Sequence, residues 1–297
     1  MKARRGKGEG GRGLPRREFV GTVATAVAGM TLPPSRFPLP PDRLNRIGLQ
    51  LYTVRDLLKQ DFDWTLARIA AIGYREVEFA GYFDHTPEQV KAALASAGLT
   101  APATHVGPDN LDKGWDTVVH TAKAIGHEYV IVAWIPEERR KTIDDWKRIA
   151  EQLNQAGTAC RAVGLQFAYH NHDFEFVPIE GRVPYDILLE HTDASLVKLE
   201  LDLFWITFAG ADPLAYFARS PGRFPLVHVK DMTPKPTPDA PAERVMVDVG
   251  KGSIDWKRIF AQSRAGGIQH YFVEHDQPSD PLASAKASYD FLHQLEF

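Results

Sequence analysis

The chain has 297 residues, with 35 Lys plus Arg against 38 Asp plus Glu and a formal net charge of −3. Apolar residues make up 44% and charged residues 25%, proportions that exclude bulk disorder. No chain-wide basic footprint for nucleic acid is present, and the single cysteine, Cys160, excludes an intrachain disulfide and a cysteine-based zinc site, so any metal must rely on His and carboxylates.

The charge is unevenly spread. Residues 1–20 hold seven basic and two acidic side chains, which leaves −8 for the remainder. Arg16 and Arg17 precede Phe19–Leu32, 14 residues without a charge. A stable bilayer span needs roughly 20 apolar residues, so none is expected here. A basic start, a short apolar stretch and Ala26-Val27-Ala28 read as an export signal over residues 1–32, which the arginine pair makes resemble the twin-arginine type; a disordered basic tail with an incidental apolar run is the alternative. Cleavage is expected after Ala28, the expected partner is the Tat export machinery, and the destination is the periplasm. Residues 33–44, rich in proline, read as a linker, and 45–297 as one domain.

From residue 45 a unit recurs: an apolar strand, a loop, a helix. The predicted strands are 47–52, 76–80, 101–106, 129–134, 165–170, 197–202, 226–230 and 271–275. Eight such units in about 250 residues predict an α/β protein with a single (β/α)8 TIM barrel. A doubly wound open sheet is the alternative, but no strand is followed by G-x-G-x-x-G. The first helix is predicted over Asp63–Ile72, with Trp64, Ala67, Ile69, Ala70 and Ile72 near one face and Gly73 ending it. Thr86-Pro87-Glu88 starts the next, which ends at Gly98. A long helix over Thr142–Val163 carries Trp146, Ile149, Leu153 and Ala162 at helical spacing. The stretch Thr233–Glu243, with four prolines, reads as a lid-like loop on the active-site side.

In a barrel, chemistry gathers at the C-terminal strand ends. Strand five ends in His170 and continues Asn171-His172-Asp173-Phe174-Glu175. Strand six carries Glu200 and Asp202, strand seven His228 and Lys230, and strand eight Glu274. Alternation puts Glu200 with Asp202, and His228 with Lys230, on one face, while Leu199, Leu201, Val227 and Val229 face the helices. One acid in an apolar strand is commonly a structural ion pair. Acids or imidazoles at the same end of four successive strands point instead to one divalent cation, Mn²⁺, Mg²⁺, Co²⁺ or Zn²⁺.

The segments Gly48-Leu49-Gln50-Leu51-Tyr52-Thr53-Val54-Arg55, Gly73-Tyr74-Arg75-Glu76-Val77-Glu78-Phe79, Tyr169-His170-Asn171-His172-Asp173-Phe174-Glu175-Phe176, Val227-His228-Val229-Lys230-Asp231 and Asp248–Trp256 occur in order. Together they resemble the xylose isomerase-like TIM barrel superfamily of sugar isomerases and epimerases, in the subgroup with Tyr-His-Asn-His. The resemblance implies Asp202, His228 and Glu274 as metal ligands. Strand five departs from the usual Glu-Asn ending. Glu175, reached by a local bulge, is therefore expected as the fourth ligand, with His170 as the alternative. His172 is expected as the base, with Glu274 and Lys230 also catalytic. Tyr52, Glu78, His105, His170, Trp134 and Trp205 are expected to bind the sugar. Core packing for the tryptophans and a loop hydrogen bond for His105 are the structural alternatives.

The activity implied is a metal-dependent sugar isomerase or epimerase that abstracts a proton next to a carbonyl. A lyase or hydratase on 3-keto-sugars or glycosides shares that first step. A non-catalytic exported sugar-binding barrel is the alternative from another class. A DNA-repair nuclease is disfavoured by the −8 charge and the leader. The expected partner is a small sugar and no nucleic acid, with a homo-oligomer left open.

Overall fold

The computed structural model describes residues 42–237, 240–242 and 245–297. Residues 1–41, and the export signal read there, lie outside the described residues.

Eight parallel strands close into a barrel in sequence order: strand one (Gly48–Gln50), two (Glu76–Phe79), three (Thr100–Val106), four (Tyr129–Val132), five (Gln166–His170), six (Val197–Asp202), seven (Leu226–Val229) and eight (His270–Val273). Helices lie between successive strands, so the architecture is a (β/α)8 TIM barrel. Several strands end earlier than predicted. The apolar run after Gln50 turns into a 3-10 helix over Leu51–Val54, and strand four stops at Val132, two residues before Trp134. Both aromatic residues thereby leave the sheet and reach the rim.

Two apolar compartments follow from strand alternation. Leu199, Leu201, Val227 and Val229 belong to the large core between sheet and helices. Ala103, Tyr129, Ile131, Ala168, Leu226 and Phe272 form a separate cluster on the other strand face, the barrel interior. Gly48 makes room for that plug, because a Cβ there would stand 2.4 Å from the Phe272 ring. Polar residues sit above it, nearer the C-terminal ends of the strands.

The helix caps follow the sequence signals. Thr86 and Gln89 form a capping box before Pro87–Ala97, and Gly98 closes that helix with a left-handed backbone (φ 68°). Thr142 and Asp145 cap Ile143–Ala162 in the same way. Two helix faces differ from prediction. In Phe62–Ile72 the buried residues are Phe62, Thr65, Leu66 and Ile69, whereas Trp64 is 48% exposed. The buried stripe begins at Phe62, one residue before the predicted helix start, which turns Trp64 towards solvent. In the long helix the buried stripe continues through Ala156, Gly157 and Cys160, and Ala162 is exposed.

Ahead of residue 45, Asp42 and Phe297 exchange two backbone hydrogen bonds of 3.0 and 3.1 Å, and Leu44 is buried. After strand seven, Asp231–Met232 pairs antiparallel with Met246–Val247. Ala240, Ala242 and Val245 pack there with Phe204, Met232 and Met246. Among the described residues, none of the stretch 233–243 lines the central cavity, so the lid-like position is not seen in them. No described helix is long and apolar enough to cross a membrane.

Candidate active site

Strand register brings the polar ends together. Gln50 pairs with Glu78, His170 with Glu200, and Asp202 with His228. Their side chains meet inside the barrel. His228 Nδ1 lies 2.8 Å from Glu274 Oε2 and 3.8 Å from Asp202 Oδ2, while its Nε2 lies 2.6 Å from Glu78 Oε2. His170 spans the same two levels, with Nε2 3.8 Å from Asp202 Oδ2 and Nδ1 3.2 Å from Glu200 Oε2. His105 Nε2 is 2.7 Å from Glu200 Oε2 and 3.2 Å from Glu78 Oε2. Lys230 Nζ is bracketed by Glu274 (2.7 Å), Asp276 (3.0 Å) and Asp202 (3.1 Å).

Four buried carboxylates, Glu78, Glu200, Asp202 and Glu274, thus share one buried lysine and three imidazoles. Such an excess of buried negative charge is costly unless cations or protons offset it. Burial, with Glu200 nearby, lifts Glu78 to about 7. Burial likewise lifts Asp202 to about 6, against the pull of Lys230. Burial opposes a charged His228, but Glu200 and Glu78 together hold its pKa well above the usual imidazole value. Lys230 is also held as a cation against burial, by Asp202, Asp276 and Glu274. Glu200 Oε1 and Glu78 Oε1 are buried without a hydrogen-bond partner, while Asp202 Oδ2 and His170 Nδ1 have only ion-pair approaches, to Lys230 Nζ at 3.1 Å and Glu200 Oε2 at 3.2 Å. These orphaned acceptors and the uncompensated charge suit a divalent cation. Two overlapping groups have ligand atoms close enough to hold one: Asp202, His228 and Glu274, and below them His105, His170, Glu200 and His228.

Above this cluster opens a cavity of about 660 Å³, lined in part by Tyr52, His105, Trp134, His170, His172, Lys230, Glu274 and Asp276. Tyr52 (42% exposed) and Trp134 (45%) stand at its rim. The guanidinium of Arg55 covers one face of the Tyr52 ring at 3.9 Å. His172 stacks on Phe174 (centroids 5.6 Å apart) and lies beside Trp205 (5.4 Å). Burial, helped by Lys230, lowers His172 to about 3, so its ring is neutral.

These residues belong with a family model described as xylose isomerase-like TIM barrel, which matches residues 66–295. The chain is a member of that family. It is 24% identical over 242 residues to the inosose dehydratase of Lacticaseibacillus casei, covering 71% of this chain and 80% of that protein. A crystal structure from Parabacteroides distasonis, titled a sugar phosphate isomerase/epimerase, is 27% identical with a TM-score of 0.73, covering 84% of this chain and 98% of that one. The IOLI protein with a zinc atom, at 16% identity and a TM-score of 0.66 over 85% of this chain and 99% of that one, shares the fold.

Glu175 is placed elsewhere. It is buried on the outer side of strand five, where Oε1 accepts from the Tyr169 hydroxyl (2.6 Å) and Oε2 from the His172 backbone N–H (2.8 Å). Both oxygens are engaged, and it belongs to neither ligand group. The bulge expected to bring it inward is instead a 3-10 turn over Phe174–Phe176. Glu78 and Trp205 are also displaced from their expected roles: neither lines the cavity, Glu78 lying under His228 and Trp205 behind His172.

Gln50, Tyr82, Asn110 and Asp276 were not foreseen in the site. Gln50 donates to Glu78 (2.7 Å), and its one visible signal was a polar residue ending an apolar strand. Tyr82 lines the cavity with its hydroxyl 3.1 Å from His127 Nε2, a contact between distant segments. Glu200 faces inward as strand alternation predicts, and register decides that it meets His105 and His170.

Proposed function

We propose that this family member is a divalent-metal-dependent enzyme that removes a proton beside the carbonyl of an uncharged keto-sugar or keto-cyclitol, then expels a β-oxygen substituent. The observation that carries this reading is that His172, His170 and Glu274 line one cavity, with the buried Asp202 3.8 Å from His170 and the buried His228 2.8 Å from Glu274. His170 is assigned the fourth ligand position in place of Glu175. A non-catalytic binder would not need this costly buried set. When bound, the cation would polarise the substrate carbonyl and offset charge on its oxygen.

The chain's own residues supply the remaining steps. His172, neutral and facing the cavity, takes the proton from the carbon next to the carbonyl, and the electrons of that C–H bond pass towards the carbonyl oxygen. The Lys230 ammonium stands where it can offset that charge. As the electrons return, the β carbon–oxygen bond breaks. The leaving oxygen takes the proton from His172, giving water when the substituent is a hydroxyl. The curated relative's name, inosose dehydratase, supports this direction.

The lining supports an uncharged substrate. Lys230 is the one Lys or Arg that lines the cavity among the described residues, and three carboxylates already engage it. Glu274 and Asp276 face the same space and would repel a phosphate.

Epimerisation is the second reading. His172 after strand five and Glu274 after strand eight border the cavity from different sides, so a proton removed by one can be returned through the other. The likeness to the Parabacteroides sugar phosphate isomerase/epimerase supports it. Turnover of keto-sugars and keto-cyclitols in D₂O separates the two. An unsaturated ketone supports the lyase, and deuterated substrate with inverted configuration supports the epimerase. Full turnover after metal stripping would overturn both.

A further inference from the structure

We infer that Glu78 is a positioning residue that presents His228 to the bound cation. This rests on the metal reading above, with His170, Asp202, His228 and Glu274 as ligands. His228 is engaged through both ring nitrogens: Nδ1 turns towards Glu274 and Asp202, and Nε2 lies 2.6 Å from Glu78 Oε2, its nearest acceptor, with Glu200 Oε2 farther off at 3.2 Å. A neutral imidazole carries one N–H and one lone pair. With a carboxylate beneath Nε2, the hydrogen sits there and the Nδ1 lone pair is left for the cation.

Glu78 cannot easily turn away. The same Oε2 accepts from Gln50 Nε2 at 2.7 Å, and Gln50 and Glu78 are direct partners in the pairing of strands one and two. Glu78 is fully buried and does not line the cavity, which separates it from any substrate. It touches two imidazoles, His228 at 2.6 Å and His105 at 3.2 Å, and of these only His228 belongs to the ligand group with Asp202 and Glu274. The rival arrangement places the cation lower, among His105, His170, Glu200 and His228, and uses His228 Nε2 as the ligand atom. Glu78 would then compete with the ion instead of orienting the ring towards it.

The test is cobalt(II) titration of the metal-stripped full chain, read by visible absorption and by competition with a chelator. Glu78→Met should bind cobalt roughly 10–100-fold more weakly, the range for losing such a supporting contact. Glu78→Gln keeps an oxygen acceptor and should recover much of that loss. Thermal melting of the metal-free variants checks that they are folded, and a merely structural role would not order cobalt affinity as Glu, then Gln, then Met. Parent-like affinity in Glu78→Met, with binding lost in Asp202→Asn, would overturn the positioning role while leaving the metal reading intact. Should Glu78→Met not fold, Glu78→Gln decides alone: binding weaker by about twofold to tenfold supports the role, and unchanged affinity overturns it. Cobalt retained in Asp202→Asn but lost in His105→Gln would place the ion in the lower group and overturn both.

Discussion

Tyr169 donates its hydroxyl hydrogen to Glu175 on the outer side of strand five, at 2.6 Å, while the next residue, His170, points inward to the ligand groups. Alternation along one strand therefore separates a structural carboxyl from the reactive cluster. Glu175 also holds the backbone of His172, so the loop that carries the proposed base is anchored from outside the barrel.

That anchor has a pH signature. Burial lifts the Glu175 carboxyl to about 8, against about 4.3 in an unfolded chain. Between these values the unfolded chain has released the proton and the folded chain retains it. Stability is therefore lost as pH rises through that window, by an amount on the order of 5 kcal/mol. Glu175→Gln keeps the shape and removes the titration. Urea unfolding should show the variant gaining on the parent between pH 5 and pH 8, and a constant difference would contradict the assignment.

His172→Ala should lower turnover by roughly 10²–10⁴-fold, the usual contribution of a positioned acid–base group. Metal content should stay near that of the parent, because His172 lies outside both ligand groups. Elemental analysis alongside activity decides this. Loss of the metal would make His172 a ligand.

Asp231 is a hub beneath the segment 248–256. Its carboxylate accepts from the backbone N–H groups of Met232, Gly250, Gly252 and Ile254 and from Trp256 Nε1. A Cβ on Gly252 would stand 2.1 Å from Asp231 Oδ1. Gly252→Ala should cost about 3 kcal/mol, at the upper end for overpacking, because backbone hydrogen bonds must shift with it. Chemical denaturation measures it, and a cost below about 1 kcal/mol would mean the loop yields freely.

Trp134 should act on binding more than on folding. It is 45% exposed at the rim, so Trp134→Ala should change stability by no more than about 1 kcal/mol. Its ring offers a sugar an apolar face, and KM should rise about tenfold with kcat little changed, a loss of about 1.4 kcal/mol in binding. An unchanged KM would remove Trp134 from the binding surface.

Residues 1–32 fused to a folded reporter should direct its export, and replacing Arg16-Arg17 with Lys-Lys should block it. Cell fractionation reads the result. Export of the Lys-Lys fusion at parental levels would exclude the twin-arginine route.

The sequence by itself determined the barrel, because period-two strands alternating with capped helices leave few architectures that bury both faces. It also determined that acids and imidazoles from strands five to eight converge at one end, since alternation and the barrel's polarity decide that locally. Tertiary structure alone decided which of them share space. Glu175 and His170 are five residues apart, and only the 3-10 turn at Phe174–Phe176 sends one outward while the other stays inside. Glu78, expected to touch a sugar, lies under an imidazole from strand seven because closure of the barrel carries strand two to that side. The missed residues Gln50, Tyr82 and Asp276 act through partners 28 to 46 positions away. Pairings of that kind depend on register and closure, which no local pattern encodes.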